Sequence, residues 1–160
     1  MVRLQEVEPF MAELARRITG SHADGQDALQ EAALAAYVAR DQLRNPDRFS
    51  SWFRTILVHK CGDIVRKRPD VVSLDEHRIE STRPAPEHQM IWMLLDHLSK
   101  PCAQVLVLRY AADLPQKCIA RLLGIPVGTV KSRLNRALEN MRAMMEDEEV
   151  SRREVFQSKG

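Results

Sequence analysis

Apolar residues repeat at helical spacing on both sides of a glycine in the last third of the chain. Ile119, Leu122 and Leu123 follow one helical period just before Gly124. A second period starts after the glycine, at Val127, Val130, Leu134, Ala137, Leu138 and Met141. Gly124 lies where a tight turn needs a backbone conformation that is sterically costly for a residue with a side chain. Residues 114–136 are therefore predicted to form a helix-turn-helix, in which two helices meet at a tight corner.

The polar side of the second predicted helix is basic. At 3.6 residues per turn, one group of residues lies opposite the apolar stripe and another lies on its flanks. The first group is Gly128, Ser132, Asn135 and Arg136, and the flanking residues are Lys131 and Arg133. Lys and Arg neutralise DNA phosphates, whereas Arg, Asn and Ser form hydrogen bonds with base edges in the major groove. This face predicts DNA as a partner, and the alternative is an ordinary helical hairpin with a basic surface.

Three more helices are predicted in the first half of the chain, at residues 9–18, 24–43 and 50–68. The first starts at a proline, the second starts at Asp24, and the third stops before Pro69. The middle helix is rich in alanine. Four of its residues are expected to face a core, namely Leu29, Ala33, Ala36 and Tyr37.

Three polar residues near the start of the middle helix have two interpretations. Asp27, Gln30 and Glu31 are expected to be partly exposed. Acidic groups at this position favour the positive end of the helix dipole, so these residues can be helix-stabilising surface groups. A role in binding a partner is equally open.

Aromatic and basic residues lie side by side along the third predicted helix. The aromatic residues are Phe49, Trp52 and Phe53, and the basic ones are Arg54, His59, Lys60, Arg66, Lys67 and Arg68. Proteins hold unstacked bases and the adjoining phosphates with this combination. The helical period also places Trp52 on a buried stripe with Ile56, and a core position is the favoured interpretation for Trp52.

Charge is divided unevenly along the 160 residues, although the net charge is only +2. Residues 88–145 carry eight basic and three acidic side chains, which fits an electrostatic footprint for nucleic acid. Residues 69–87 contain three prolines and five acidic side chains, which predicts an extended, flexible linker. Such a linker either is solvated or occupies a basic channel of a partner.

The sequence disfavours several classes of protein. No apolar run approaches the roughly 20 residues of a membrane span, and the N-terminus is charged where a signal peptide is apolar, so a cytoplasmic protein is expected. Cys61, Cys102 and Cys118 lack a paired spacing, and neither a disulfide framework nor a metal site is expected. No catalytic or cofactor motif is recognised, so no enzyme and no cofactor are expected.

Together the two halves resemble the extracytoplasmic-function (ECF) group of the sigma-70 family of bacterial transcription initiation factors. The family's regions 2.1 to 2.2 are similar to ITGSHADGQDALQEAALAAY, and regions 2.3 and 2.4 to FSSWFRTILVHKCGDIVRKRP. Region 4 is similar to VLVLRYAADLPQKCIARLLGIPVGTVKSRLNRAL, in which GTVKSRLNRA is the most specific motif. The resemblance implies an all-α fold of two small helical domains joined by a flexible linker, the C-terminal one with the helix-turn-helix. By this resemblance, region 2 spans residues 1–68, the linker spans 69–87, region 4 spans 88–145, and a charged tail follows at 146–160.

The resemblance implies a detachable specificity subunit of RNA polymerase rather than a catalyst. The implied partners are core RNA polymerase, promoter DNA and an anti-sigma protein, with the linker directed toward the RNA exit path of the polymerase. Polymerase would be bound by Asp27, Gln30 and Glu31. Minus-10 DNA would be met by Trp52, Arg54, His59, Asp63, Arg66 and Arg68. The minus-35 element would be met by Gly128, Thr129, Lys131, Ser132, Arg133, Asn135 and Arg136.

Two departures from the family pattern affect the expected DNA contacts. His59 stands where the family usually has Asn, and Asn135 stands where a larger side chain is common. A stand-alone helix-turn-helix regulator is the alternative function, but it leaves the aromatic and basic helix without a role. A sigma mimic that sequesters a regulator is a further alternative, which the basic charge of region 4 disfavours. The tail at 146–160 lies past the last predicted helix and either is disordered or binds a partner.

Overall fold

Helices account for nearly all of the chain that the structure describes, as the helical periods predict. The structure is a computed structural model that describes residues 2–68 and 89–157, with side chains for residues 8–68 and 89–153. Its α-helices in these ranges are α1 (Val2–Thr19), α2 (His22–Val38), α3 (Phe49–Lys67), α4 (Gln89–Asp96), α5 (Lys100–Tyr110), α6 (Gln116–Leu123) and α7 (Val127–Gln157). Two short 3-10 helices, Arg40–Gln42 and Pro46–Arg48, lie between α2 and α3. The described ranges contain no strand, which confirms the all-α fold class, and the predicted linker at 69–87 lies outside them.

Helices α1, α2 and α3 pack around a small apolar core and form the N-terminal unit. Small residues make up the buried stripe of α2, namely Gly25, Ala28, Ala32 and Ala36. A Cβ atom on Gly25 would lie 2.9 Å from the Cα atom of Arg16, so α1 and α2 cross at very close range. Larger side chains from α1 and α3 fill the rest of this core, among them Met11, Leu14, Ile18, Phe53 and Leu57.

The expectation that Tyr37 faces the core is wrong. Its side chain is exposed, as is that of Leu34. Only small residues fit between α1 and α2 at their close distance, so the large residues at these positions of α2 lie at the surface. The predicted end of this helix near Leu43 is also wrong, because α2 ends at Val38 and a 3-10 turn follows.

Two predicted helix starts differ from the structure. The first helix starts at Val2 and runs through Pro9, which lacks only its own N–H donor and is followed by well-buried residues. The second helix starts before Asp24, because Ser21 is its cap. The Ser21 hydroxyl oxygen accepts the N–H of Asp24 at 3.4 Å, which places Asp24 in the first turn.

Helices α4 to α7 form the C-terminal unit, whose apolar periods are buried as predicted. The buried residues of α6 and α7 include Ile119, Leu122, Leu123, Val130, Leu134 and Ala137. The expectation that 146–160 lies past the last helix is wrong, because α7 continues to Gln157. Ion pairs at i,i+4 spacing support this exposed segment, with N–O distances of 3.5 Å for Arg152–Glu148 and 2.7 Å for Arg153–Glu149.

Three charged residues of α1 are buried, which the sequence did not predict. Glu13, Arg16 and Arg17 are each less than a tenth exposed. The Nε atoms of Arg16 and Arg17 donate to the Glu13 carboxylate at 2.9 and 2.7 Å. Arg17 also donates to the carbonyl oxygen of Trp92 at 3.0 Å and lies 2.8 Å from the carboxylate of Asp96. This ion cluster therefore joins α1 to α4.

The two units pack against each other, and no local pattern in the sequence predicts this contact. One cluster of buried apolar residues extends through both units. The Nε2 atom of Gln104 in α5 donates to the carbonyl oxygen of Ile18 at 2.5 Å. Helix α3 also contacts α6, the first helix of the helix-turn-helix. None of the helices in the described ranges is long and apolar enough to cross a membrane.

The Glu13→Gln variant is expected to lower the free energy of unfolding by about 3 kcal/mol, because two buried guanidinium groups lose their carboxylate partner. Burial alone raises the pKa of Glu13, but hydrogen bonds and charges from Arg16 and Arg17 outweigh burial and hold its pKa below the ordinary 4.5. The stabilisation is therefore present above pH 4.5 and is lost as the pH falls through the lower pKa of the folded chain.

Urea unfolding of the wild type and Glu13→Gln, from neutral pH to well below pH 4.5, measures this difference. The matched control is Glu148→Gln, which removes an exposed carboxylate from an i,i+4 pair and is expected to change stability by less than about 0.5 kcal/mol. A Glu13→Gln difference that does not shrink in acid contradicts the prediction.

Candidate nucleic-acid interface

One residue with a positive φ sets the corner between α6 and α7. Gly124 has φ 67° and ψ 34°, the left-handed conformation that commonly ends a helix. The N–H of Ile125 then donates to the carbonyl oxygen of Ala120 at 3.0 Å. The carbonyl oxygen of Pro126 accepts the N–H of Thr129 at 3.0 Å at the start of α7. This is the turn that the sequence predicts.

The predicted minus-35 residues lie along the first three turns of α7. Thr129 and Arg133 are half-buried, and the exposed members are Gly128, Lys131, Ser132, Asn135 and Arg136. No described carboxylate lies within ion-pair distance of the three basic residues of this set. Their positive charge is therefore available to an anion.

A groove at the start of α3 is lined by Trp52. The groove has a volume of about 460 Å³, and its other lining residues are Gln42, Leu43, Arg44, Asn45, Arg48, Ser51 and Thr55. Trp52 is half-buried against the core and beside Phe49, with the two ring centroids 6.2 Å apart. Arg44 and Arg48 were not among the residues predicted from the sequence. Their position just before the aromatic cluster is the signal that could have identified them.

Two arginines of α3 donate hydrogen bonds to main-chain carbonyls of the C-terminal unit. Nη1 of Arg54 lies 3.2 Å from the carbonyl oxygen of Ala111, and Nη1 of Arg66 lies 3.0 Å from that of Leu122. Arg66 also pairs with Asp63 on its own helix. These predicted minus-10 residues therefore lie at the contact between the two units.

The other predicted minus-10 residues have different surroundings. Arg68 donates to the carbonyl oxygen of Thr19 at 2.6 Å and pairs with the Asp24 carboxylate, so it fixes the corner between α1 and α2. His59 is exposed, and its Nδ1 lies 2.8 Å from the carbonyl oxygen of Thr55. A carbonyl accepts only from a protonated nitrogen, so Nδ1 carries a proton and Nε2 is left for another partner.

The outer face of α2 carries the predicted polymerase-binding residues. Asp27, Gln30 and Glu31 are exposed, and the Glu31 carboxylate lies 3.8 Å from Nζ of Lys60 in α3. The exposed face continues at helical spacing with Leu34, Tyr37 and Val38, whose exposed fractions are 69%, 69% and 79%. This apolar extension was not predicted from the sequence, although Leu34 follows Glu31 by three residues and Val38 follows Leu34 by four.

Cys61 is not a reactive thiol, and it forms no metal site with His59. Burial raises the pKa of Cys61 to about 12, so its thiol stays protonated at neutral pH. His59 is exposed whereas Cys61 is buried, so the two side chains do not form a pair. In the described part of the chain, no three His, Cys, Asp or Glu residues are grouped to hold a metal ion.

The chain is similar to known transcription initiation factors along most of its length. Residues 4–69 match the family model for sigma-70 region 2, and residues 88–141 match that for sigma-70 region 4. RNA polymerase sigma factor SigV of Bacillus subtilis is 33% identical over 132 residues, which cover 80% of each chain. ECF RNA polymerase sigma factor SigW of the same organism is 29% identical over 84% of this chain and 82% of its own. ECF RNA polymerase sigma-E factor of Escherichia coli is 28% identical over 72% and 71% of the two chains.

The Gly124→Ala variant is expected to lower the free energy of unfolding by about 1 kcal/mol. A Cβ atom at this position meets no atom within 4 Å, so the loss comes only from the left-handed backbone conformation. Thermal unfolding measures the loss. Gly124→Asn is the matched control, because Asn adopts this conformation more readily than Ala. Equal stability of the Ala and Asn variants contradicts the backbone explanation.

Proposed function

This chain belongs to the ECF group of the sigma-70 family, and we propose that it binds core RNA polymerase in the cytoplasm and directs promoter-specific transcription initiation without catalysing a reaction. The observation that carries the proposal is the unpaired basic face of α7, in a chain that also contains the helices of region 2. A stand-alone regulator needs the first of these features but has no use for the second.

Region 4 is proposed to read the minus-35 element with the polar face of α7. Recognition helices enter the major groove with their N-terminal residues nearest the bases. Lys131 and Arg136 supply positive charge there, whereas Ser132 and Asn135 supply short polar groups. Gly128 supports the assignment, because a Cβ atom there would meet nothing within 4 Å and no internal contact explains the glycine. Close approach of the DNA backbone is the proposed reason.

Region 2 is proposed to hold an unstacked base of minus-10 DNA in the groove beside Trp52. The groove volume of about 460 Å³ lies in the range of small-ligand sites. An aromatic ring stacks on a base of any identity, and Arg44 and Arg48 lie beside it to neutralise the adjoining phosphates. Capture of the base would offset the cost of unstacking it and so favour strand separation.

The outer face of α2 is proposed to bind core polymerase. Its apolar half, formed by Leu34, Tyr37 and Val38, has no partner among the described residues that buries it. Exposed apolar patches with polar surroundings are typical of protein interfaces. Asp27, Gln30 and Glu31 would then make polar contacts that fix the orientation of the partner and add to its affinity.

Two further proposals follow from the family resemblance. An anti-sigma protein is a partner that the resemblance implies, and it would bind the units that carry the DNA-binding residues. The acidic linker at 69–87 would run toward the RNA exit path of the polymerase, but these residues lie outside the described ranges.

In vitro transcription with core RNA polymerase and a library of genomic promoters tests the proposed function. The chain is expected to direct start sites that core polymerase alone does not use. If no new start sites arise in the presence of the chain, the sigma-factor function is wrong for this protein.

The Arg136→Ala variant is expected to weaken binding of promoter DNA by about 1 to 3 kcal/mol, because a base contact or a charged phosphate contact is lost. Footprinting of the holoenzyme at the minus-35 element measures the effect. Arg142→Ala is the matched control, since Arg142 is exposed on the same helix beyond the predicted reading face. If the Arg136→Ala variant leaves the footprint unchanged, Arg136 is not part of the surface that reads the minus-35 element.

The Asp27→Ala variant is expected to weaken capture of core polymerase by about 1 to 2 kcal/mol while the fold stays intact, because a polar contact at the interface is lost. A pull-down titration against core polymerase measures capture, and circular dichroism checks the fold. Asp147→Ala removes an exposed carboxylate on α7 and is the control. If the Asp27→Ala variant captures core polymerase as well as the wild type does, Asp27 is a surface residue of α2 that does not bind polymerase.

A further inference from the structure

An apolar cavity of about 630 Å³ lies where the N-terminal and C-terminal units meet. Its walls come from α1, α3, α4, α5 and α7, through residues such as Phe10, Leu95, Leu106 and Leu138. This volume and this apolar lining are typical of sites that bind small molecules. No described residue that is proposed to read the minus-35 element or to bind polymerase lines the cavity.

The walls of the cavity extend from the protein surface into the core. Ile91 and Tyr110 line it and are 52% and 62% exposed, so a ligand can enter beside them. Trp92, Leu95 and Val107 also line it, and each is less than a tenth exposed. An apolar molecule that enters the cavity therefore exchanges water for the side chains of the core.

Arg54 is the charged residue among the described residues that line the cavity. Its Nη1 atom donates to the carbonyl oxygen of Ala111 at 3.2 Å, which holds the guanidinium group at the wall. A guanidinium group has five N–H donors, and this hydrogen bond uses one of them. No described carboxylate lies within ion-pair distance of Arg54. Its positive charge is therefore available to an anion in a mostly apolar site.

Trp92 contributes a second hydrogen-bond donor to the lining residues. Its Nε1 atom is buried and has no hydrogen-bond acceptor among the described residues. The ring is held by its neighbours, because the Phe10 ring centroid lies 5.7 Å away and the guanidinium carbon of Arg17 lies 5.4 Å away. Buried N–H groups in proteins are nearly always paired, so this one indicates an acceptor that a bound molecule supplies.

An aliphatic carboxylate has the chemistry that these walls require. A hydrocarbon chain gains free energy when it leaves water for leucine, isoleucine and methionine side chains. A carboxylate only accepts hydrogen bonds, and its two oxygens can pair with guanidinium and indole N–H groups. A phosphate monoester carries nearly two negative charges, whereas Arg54 is one cation. A monoanionic head group therefore fits better.

We infer that this cavity is a binding site for a long-chain carboxylate of the fatty-acid type, with its carboxylate at Arg54 and its hydrocarbon chain among the apolar lining residues. The site is independent of the proposed function, because binding of the carboxylate needs neither DNA nor polymerase. Residues of both units form the walls, so the full chain is needed for binding.

Isothermal titration calorimetry of the full chain with decanoate, below its micelle concentration, tests the site. Octanoate and decanol are the matched ligands. Octanoate is expected to bind about fifteenfold more weakly than decanoate, since each of the two missing methylene groups is worth about fourfold in affinity. Decanol is expected to bind at least about tenfold more weakly, because it has the same chain but cannot form a hydrogen bond between charged groups.

Three variants test the walls in the same titration. Leu138→Trp fills the cavity from α7 and is expected to lower decanoate affinity at least about tenfold. Arg54→Gln is expected to lower decanoate affinity about tenfold but to leave decanol affinity unchanged, because only the charged contact is lost. Arg142→Gln is the control and is expected to match the wild type, since Arg142 is exposed on α7 and does not line the cavity.

Tryptophan fluorescence locates the bound chain. Trp52 and Trp92 are the two tryptophans of the protein, so the emission of a Trp52→Phe variant comes from Trp92 alone. Decanoate is expected to shift this emission, because it displaces water beside the ring. Unchanged emission places the ligand away from Trp92 and contradicts the assignment.

Three results would overturn the inference. The first is the absence of decanoate binding by the wild type, as when another segment of this chain fills the cavity. The second is equal affinity of the wild type for decanoate and decanol. The third is wild-type binding by Leu138→Trp, as when decanoate adsorbs to the exposed apolar side of α2. If Leu138→Trp fails to fold, as judged by circular dichroism, Ala111→Leu fills the same cavity from the end of α5 and decides the outcome.

Discussion

The arrangement of the two units depends on how the guanidinium group of Arg17 is satisfied. Burial removes water from this charge, so the protein must supply acceptors around it. Glu13 supplies one from α1 itself, and α4 supplies the carbonyl oxygen of Trp92 and the carboxylate of Asp96. The Trp92 ring also lies 5.4 Å from the guanidinium carbon. All of these acceptors are in place only when α4 lies against α1, which brings α6 toward α3.

The two proposed DNA-binding surfaces differ in how far the rest of the chain engages them. The polar face of α7 is exposed and keeps its positive charge, so it needs no rearrangement before it meets DNA. Along α3, by contrast, Arg54 and Arg66 are engaged at the interface between the units, while the groove beside Trp52 lies at the start of the same helix. In this arrangement the proposed minus-35 surface is accessible, whereas part of the proposed minus-10 surface is engaged within the chain.

Local patterns predicted α1, α2, α3, α6 and α7, and contacts between distant residues account for most of what the sequence did not predict. The helix-turn-helix was predictable because one apolar period ends at Gly124 and another starts after it, and both signals are local. Helix ends were less predictable, since Ser21 and Asp24 are both good caps and only the structure distinguishes them. The contact of Gly62 with Leu122 leaves only a weak local trace, because a glycine inside a helix indicates a close approach but does not show which residue approaches.

Some properties of the site residues also follow from local spacing, whereas others depend on contacts between distant residues. Exposure on α2 and α7 followed from helical spacing, but the spacing also suggested that Tyr37 was buried, because the pattern does not show how closely α1 and α2 approach. Glu13 and Arg17 look like ordinary charged residues of a surface helix until their partners are seen. Binding of DNA and of polymerase by the named residues stays a prediction.

The small residues of α2 have a consequence for how this protein can change over evolutionary time. Gly25, Ala28, Ala32 and Ala36 hold the helix in place, and they form one side of it only. Leu34, Tyr37 and Val38 lie on the opposite side, where they contribute little to the core. Substitutions on that outer side can therefore alter what the helix binds with little cost to folding. Fold stability and the proposed choice of partner therefore depend on separate residues of the same helix.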